Sequence, residues 1–329
     1  MKAVVYDEYG PPEVLHVREV EKPSPKDNEL LIRIGAVAVN TGDCELRRPD
    51  IPNSIWFLVR LAFGLRRPRK GILGAYFAGR IEAVGKNVGR FRVGDEVFGA
   101  SGARFGAYAE YLSLPATYAI AAMPANMSYE EAAVVPVGGI NALHYLRKAK
   151  VQPGERVLVN GAGGSFGTFA VQIAKLMGAE VTAVDLAEKH EMLRALGADH
   201  VIDYTRVDFT ESGETYDVIF NVIVTKSYSP VIRSLSRGGR YLLTNPAGIP
   251  QMLRAIWTSV TSDKKVVIQF ASEKTEDLDH LRELIEGGKL RAVIDKSYPL
   301  ERAAEAHRYV ETGRKKGNVV LTVRDDIGP

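Results

Sequence analysis

A chain of 329 residues, 46% of them apolar, is long for one core and can bury apolar residues in each of two domains. The net charge of +3 and pI of 8.8 come without a long basic run, which excludes an electrostatic nucleic-acid footprint. One cysteine, Cys44, excludes an internal disulfide framework and any cysteine-rich zinc site and suits a reducing compartment. With Asp7 and Glu8 so near Met1, the start does not resemble a signal peptide, and a cytoplasmic location is expected.

In chain order, MKAVVYDEYG and ELLIRIGAVAVN read as short strands on either side of the proline-rich turn EKPSPKDN. GRIEAVGKNVGRFRVGDEVFG and GAYAEYLSL continue that pattern, with glycines punctuating the strands. A β-rich first domain follows. From Ser128 the period changes: Ser128 with Glu131 three residues on is a capping-box pattern, followed by helical apolar spacing that is interrupted at Pro136. Strands and helices then alternate.

The central stretch is VLVNGAGGSFGTFAVQIAKLMGAEVTAVD, from Val157 to Asp185. A β-branched apolar run, a glycine-rich turn, helical spacing over Phe169 to Met177 and a second apolar run ending in Asp185 make a strand–turn–helix–strand unit. The glycines depart from G-x-G-x-x-G, because Phe166 stands where its last glycine would be. They follow G-x-x-G-x-x-G at Gly161, Gly164 and Gly167, with Ser165 and Phe166 between the last two. Glycine lets the backbone approach a pyrophosphate, and the helix N-terminus beyond offers N–H groups and a positive dipole end. Asp185 lies close to the offset at which a dinucleotide fold places its ribose-binding carboxylate. Dinucleotide binding is the expected function of this unit.

Further strands are expected at VIDY, DVIFN, RYLLTN and KVVIQF, completing six between Val157 and Phe270 and therefore a parallel doubly wound sheet. A helix around Leu278 to Glu286, a strand near Val293, a helix over Glu301 to Glu311 and the apolar run NVVLTV close the chain. This tail is expected to complete the first domain. The fold class is α/β, with residues 1–123 and 289–329 forming one domain and 124–288 the other.

Four segments in order, RFRVGDEVFGASGARFGAYAEY, AAVVPVGGINALHYL, VLVNGAGGSFG and LGADHVIDY, resemble the zinc-independent branch of the medium-chain dehydrogenases, the quinone oxidoreductase-like proteins. The resemblance implies a GroES-like β domain made of both chain ends, a Rossmann domain between them, a homodimer, and NAD(P)H as hydride donor to a quinone or α,β-unsaturated carbonyl. Zinc branches carry a Gly-His-Glu segment. Its match here is Gly74-Ala75-Tyr76, with no ligand at the histidine position, and one cysteine with six scattered histidines does not make a tetrahedral site. No metal is expected. Hydrogen-bond donors must then polarise the carbonyl, and reduction of an activated C=C or quinone suits such a site better than oxidation of an unactivated alcohol.

The resemblance puts Asn40 and Asp43, its Asn-x-x-Asp element, at the nicotinamide end of the cleft; the same residues with Gly42 would also suit a plain turn. Tyr76 stands where zinc enzymes carry an acid, and its phenol is a candidate donor to a substrate oxygen, although most tyrosines are packing. Asn141 occupies the family's usual threonine position in the nicotinamide-facing helix start. Asp185 favours NAD over NADP by accepting ribose hydroxyls and repelling a 2′-phosphate. Lys189 and Tyr204 match residues that grip such a phosphate in related proteins, while Lys189 also suits a solvated helix face.

SIWFLVRLAFGLRRPRKG and PQMLRAIWTSVTSDKK are apolar with basic residues and hold the only tryptophans, Trp56 and Trp257. Neither is long enough to span a bilayer. A lid over the cleft is the first expectation, ahead of a dimer surface, and a membrane partner is not expected. Two other functions stay open: an idle NAD(P)H-binding redox sensor, which would not need Asn40, Asp43 and Tyr76 together, and a metal-free alcohol dehydrogenase, which would need a base that the sequence does not identify.

Overall fold

The computed structural model describes residues 1–48, 56–69, 71–223, 227–246, 248–269 and 271–323. In chain order, β1 (Lys2–Val5) and β2 (His16–Glu19) pair antiparallel, and β3 (Glu29–Val39) runs into α1 (Thr41–Arg47). After α2 (Trp56–Phe63) come β4 (Tyr76–Val84), β5 (Glu96–Ala100), β6 (Tyr111–Pro115) and β7 (Ile120–Ala122). Ser128 caps α3 (Tyr129–Val135) through the reciprocal box with Glu131, as its spacing predicts, and Pro136 begins a single π-helical turn, Pro136–Ile140.

The alternating part begins with α4 (Asn141–Ala149) and continues through β8 (Arg156–Asn160), α5 (Ser165–Leu176), β9 (Glu180–Asp185), α6 (His190–Ala195), β10 (His200–Asp203) and β11 (Tyr216–Asn221). It ends with α7 (Tyr228–Arg233), β12 (Leu235–Leu243), α8 (Ile249–Thr261) and β13 (Lys265–Val267). The six strands form one parallel sheet in the order β10-β9-β8-β11-β12-β13. That is the doubly wound order, with β8 and β11 central and the strand order reversing between them, where a nucleotide binds beyond the strands' carboxyl ends. Fully buried Leu158, Ile219, Tyr241 and Leu243 fill its core.

The tail contributes α9 (Thr275–Glu286), β14 (Ile294–Pro299), α10 (Ala303–Glu311) and β15 (Asn318–Thr322). β15 pairs antiparallel with β3 and parallel with β14, so the C-terminus does complete the first β sheet, ordered β14-β15-β3-β4-β5-β7 with β6 on β3. Phe77, Ile32, Val37 and Val319, all fully buried, belong to its core.

The described residues fall into two compact units, one within 1–48, 56–140 and 273–323, the other within 141–272. These cuts differ from the expected 123/124 and 288/289. α3 lies against β3, β4 and β15, and α9 against β7, so both helices bury their apolar faces on the sheet of the first unit. Among the described residues, no helix is long and apolar enough to cross a membrane.

Candidate functional site

In the second unit, the turn between β8 and α5 has the geometry that its glycines promise. Gly161 sits at φ +84°, a left-handed conformation that side chains disfavour. A Cβ on Gly167 would lie 2.3 Å from the Gly161 carbonyl oxygen, so only glycine lets α5 close onto the turn. The N-cap of α5 is Gly164, and no side chain caps its first turn. At Gly164 a Cβ would meet nothing nearer than 3.6 Å, which leaves the backbone approachable. An uncapped twelve-residue helix behind a glycine turn fits a pyrophosphate.

Asp185 ends β9 and is 4% exposed. Its Oδ2 accepts from the Gly163 amide at 2.7 Å, while Oδ1 accepts from the Leu186 amide at 2.8 Å and lies 2.9 Å from Lys189 Nζ. The carboxylate thus ties the glycine turn to the end of β9. Lys189 is 3% exposed, which overturns the solvated-face reading: its ammonium is buried against the Asp185 charge. Register places Asp203 beside Asp185, so Tyr204, 41% exposed, directly follows the neighbouring strand end. Asn141 begins α4. The turn, Asp185, Lys189 and Tyr204 are thereby brought together around the carboxyl ends of β8, β9 and β10.

In the first unit, Asn40 and Asp43 form a reciprocal capping box on α1, a helix start rather than a plain turn. Asn40 Oδ1 accepts from the Asp43 amide at 3.2 Å; Asn40 Nδ2 donates to Asp43 Oδ2 at 2.7 Å. Asp43 also accepts from the Gly74 amide at 3.3 Å and from the Tyr108 hydroxyl at 3.3 Å. Its side chain is closed off from solvent, 1% exposed, and Asn40 is half-buried. Burial pushes the Asp43 carboxyl up to about 7, against the pull of donors from Asn40, Gly74 and Tyr108.

The Tyr108 oxygen stands 3.0 Å from His307 Nε2. Arg47 Nε donates to His307 Nδ1 at 3.4 Å, which leaves the imidazole hydrogen on Nε2 and sets the direction Arg47 to His307 to Tyr108 to Asp43. Burial, with the Arg47 charge adding to it, pulls His307 down to about 3, so the ring is neutral. Arg47 is itself buried and pairs with Glu311. Cys44 packs against the same histidine, its Sγ 3.4 Å from Nδ1, and burial raises its thiol. The small-buried-thiol environment fits a side chain that takes no part in chemistry.

Tyr76 opens β4 and donates to the half-buried carboxylate of Glu273, which burial pushes upward. Burial and Glu273 together raise the phenol. Sequence reasoning missed Tyr108, His307 and Glu273. For His307 a signal existed: it falls in the buried i, i+3, i+4, i+7 stripe of Ala303, Ala306, His307 and Val310 on α10. Among the described residues, no three His, Cys, Asp or Glu side chains converge as a metal site.

The comparisons with known proteins bear on this geometry. Residues 26–125 match the model of the alcohol dehydrogenase GroES-like domain and residues 196–321 that of the zinc-binding dehydrogenases. A chloroplastic quinone oxidoreductase of Triphysaria versicolor is 31% identical over 98% of this chain and 98% of its own length. The chain belongs to the medium-chain dehydrogenase/reductase family, in its quinone oxidoreductase-like branch. A chloroplastic NADPH-dependent alkenal/one oxidoreductase of Arabidopsis thaliana is 30% identical over 98% of this chain and 79% of its own. The solved quinone oxidoreductase of Coxiella burnetii superposes with a TM-score of 0.86 at 29% identity, covering 98% of this chain and 99% of that one. As a member of the family, the chain is a nicotinamide-dependent oxidoreductase with a GroES-like unit and a Rossmann unit.

Proposed function

We propose that the protein reduces quinones or α,β-unsaturated carbonyls, small-molecule substrates, with NAD(P)H and without a metal. The observation that carries the reading is the α1 cap, in which a buried carboxylate holds an amide donor in a fixed orientation. An amide nitrogen has two hydrogens. Asn40 gives one to Asp43 and is assigned to give the other to the substrate carbonyl, with Asp43 as a positioning residue behind it. A fixed donor aimed at developing oxyanion charge can replace a Lewis acid.

Tyr76 is the second donor. Its hydrogen rests on Glu273; when Glu273 is protonated, the carboxyl donates to the phenol oxygen and the phenol hydrogen turns to the substrate. The bound nicotinamide supplies the hydride. Gly161, Gly164, Ser165, Phe166 and Gly167 would hold its pyrophosphate, Asp185 and Tyr204 its adenosine ribose, and Asn141 its nicotinamide end.

NADH is favoured over NADPH, because a buried carboxylate occupies the ribose position and Lys189 is already paired with it. A cytosolic location fits the lone buried thiol, and the family's homodimer is retained, with β13 at the edge of its sheet as a surface for it.

Loss of reduced-nicotinamide absorbance, followed with NADH and NADPH against quinones, enones and an unactivated aldehyde after chelation, tests the reading. Turnover of quinones or enones but not the aldehyde is expected. Tight nucleotide binding with no turnover would favour a redox sensor, and loss of activity on chelation would overturn the metal-free reading.

A further inference from the structure

The loop between β5 and β6 hangs on the strand that leads into Tyr76. Tyr76 pairs with Ala100 in the β4–β5 ladder, and the chain leaves that pair at Ser101, whose amide and hydroxyl donate to the Ala75 carbonyl at 2.7 Å and 3.3 Å. It returns at Gly106 and Ala107, whose amides donate to the carbonyls of Leu73 at 3.2 Å and Gly74 at 3.1 Å. Between these anchors, a Cβ on Gly102 would lie 3.3 Å from the Glu273 carboxylate, and Arg104 pairs with buried Glu29 at 3.3 Å. The loop is thus tied beside Tyr76 and its partner Glu273, and beside Gly74, which donates to the Asp43 that holds Asn40.

At the crest of this loop stands Phe105, at φ +54° and ψ −153°. A bulky side chain in that region is strained, whereas glycine would adopt it freely. Such strain gathers at active sites and ligand clamps, and persists only where the surroundings over-determine the backbone. The two anchored ends and the Arg104–Glu29 pair do so here. The Phe105 ring packs edge-on against Phe63, the last residue of α2, with centroids 5.7 Å apart and planes at 68°. Phe63 is fixed in turn, because its carbonyl accepts from the Tyr9 hydroxyl at 3.3 Å and from the Arg69 amide at 2.8 Å. Both rings are half-buried, so each keeps part of its surface open. A ring held in place loses no freedom when a second ring meets it, and aromatic pairs gain more than their buried area alone.

We propose that Phe105, with Phe63 behind it, determines substrate choice: the two rings form a preformed aromatic wall beside Tyr76 that selects quinones and enones carrying a fused or conjugated aromatic ring over those without one. The inference rests on the quinone and enone reading above and names the class of substrate within it.

The test compares kcat and KM of the full-length protein and its variants, with NADH or NADPH, for two substrate pairs: benzylideneacetone against ethylideneacetone, and naphthoquinone against benzoquinone. Phe105→Leu keeps an apolar side chain and removes the flat face. It should raise KM for the aryl member of each pair by roughly three- to tenfold, the worth of one aromatic pair, with kcat unchanged and both constants of the other member unchanged. Phe63→Leu, acting through Phe105, should give the same pattern more weakly. Binding of benzylacetone, which has no conjugated C=C to reduce, is followed by NMR titration with NAD⁺ or NADP⁺ present and should weaken by the same factor in Phe105→Leu. Unchanged constants in Phe105→Leu overturn the wall. A loss shared equally by the members without the extra ring makes Phe105 a packing element and overturns it as well. Absence of all quinone and enone turnover overturns the reaction reading alone, and the titration then decides the wall: weaker binding in Phe105→Leu upholds it, and equal binding or none overturns it.

Discussion

The Tyr108 hydroxyl lies 3.0 Å from His307 Nε2, joining the approach to β6 to the C-terminal helix α10 across 199 positions of sequence. The same hydroxyl donates to Asp43, which holds Asn40. The returning chain end thereby buttresses the proposed substrate-binding amide from behind, through a buried relay in which each polar group has a partner.

Asp43 and His307 make opposing contributions to stability as pH changes. Asp43, raised to about 7 in the folded protein, contributes stability that is present at acid pH and lost as pH rises through that value. His307, lowered to about 3, contributes stability that is present above its unfolded value and lost as pH falls towards 3. Between roughly pH 4 and 6.5, the unfolded-state values of the two groups, the slopes oppose each other. Asp43→Asn should therefore make urea stability rise with pH across this window, by about 1–3 kcal/mol, and His307→Gln should make it fall. Parallel wild-type and variant profiles would dismiss the relay as a titrating pair.

Removing the relay's bulk tests its packing. His307→Ala leaves Tyr108, Arg47 and Cys44 facing a cavity with unmet polar groups, and should cost about 3 kcal/mol, within the range for buried network and cavity losses. Thermal or urea unfolding measures it. A loss below about 0.5 kcal/mol, typical of a surface change, would show that the ring is not an organising contact.

The glycines of the turn should behave unequally. Gly167→Ala places a methyl 2.3 Å from the Gly161 carbonyl and must push α5 off the turn, with an expected loss of about 1–3 kcal/mol in stability and most of the nucleotide affinity. Gly164→Ala has room, its nearest neighbour at 3.6 Å, and should leave stability nearly intact while weakening nucleotide binding. Calorimetric titration with each variant separates the two.

Cofactor choice should pivot on the pair at the end of β9. Asp185→Ser frees Lys189 from a partner 2.9 Å away and should shift the kcat/KM ratio towards NADPH by about tenfold or more, the equivalent of one charge-assisted contact. Lys189→Ala should move the ratio the other way. An unchanged ratio in both would place the 2′-site elsewhere.

Tyr76→Phe should lower turnover by about 10²-fold, as for loss of one proton-donating group, with little effect on nucleotide affinity. Glu273→Gln, whose amide can donate to the phenol oxygen as the protonated carboxyl does, should keep turnover and flatten any decline of it as pH rises, since burial raises the Glu273 carboxyl and its protonated form is the competent one. Unchanged turnover in Tyr76→Phe removes the phenol from the mechanism.

Short-range pattern was sufficient for much of this protein. Strand–helix alternation, the G-x-x-G-x-x-G turn and the Ser128/Glu131 box depend on residues a few positions apart, whose spacing dictates periodicity, φ and hydrogen bonding locally. Even the return of the C-terminal strand could be read, because an apolar run at the chain end must find a sheet to bury it. The tertiary structure alone decided the rest. Lys189, polar by composition, is buried because β9 and the glycine turn converge on it. Asp43, Tyr108 and His307 become one relay only when three distant segments are packed together. In α8 the hydrophobic period is present in the sequence, but periodicity marks a face without saying which way it turns; Tyr228 and Val266 engage the polar side, and the apolar side is left outward.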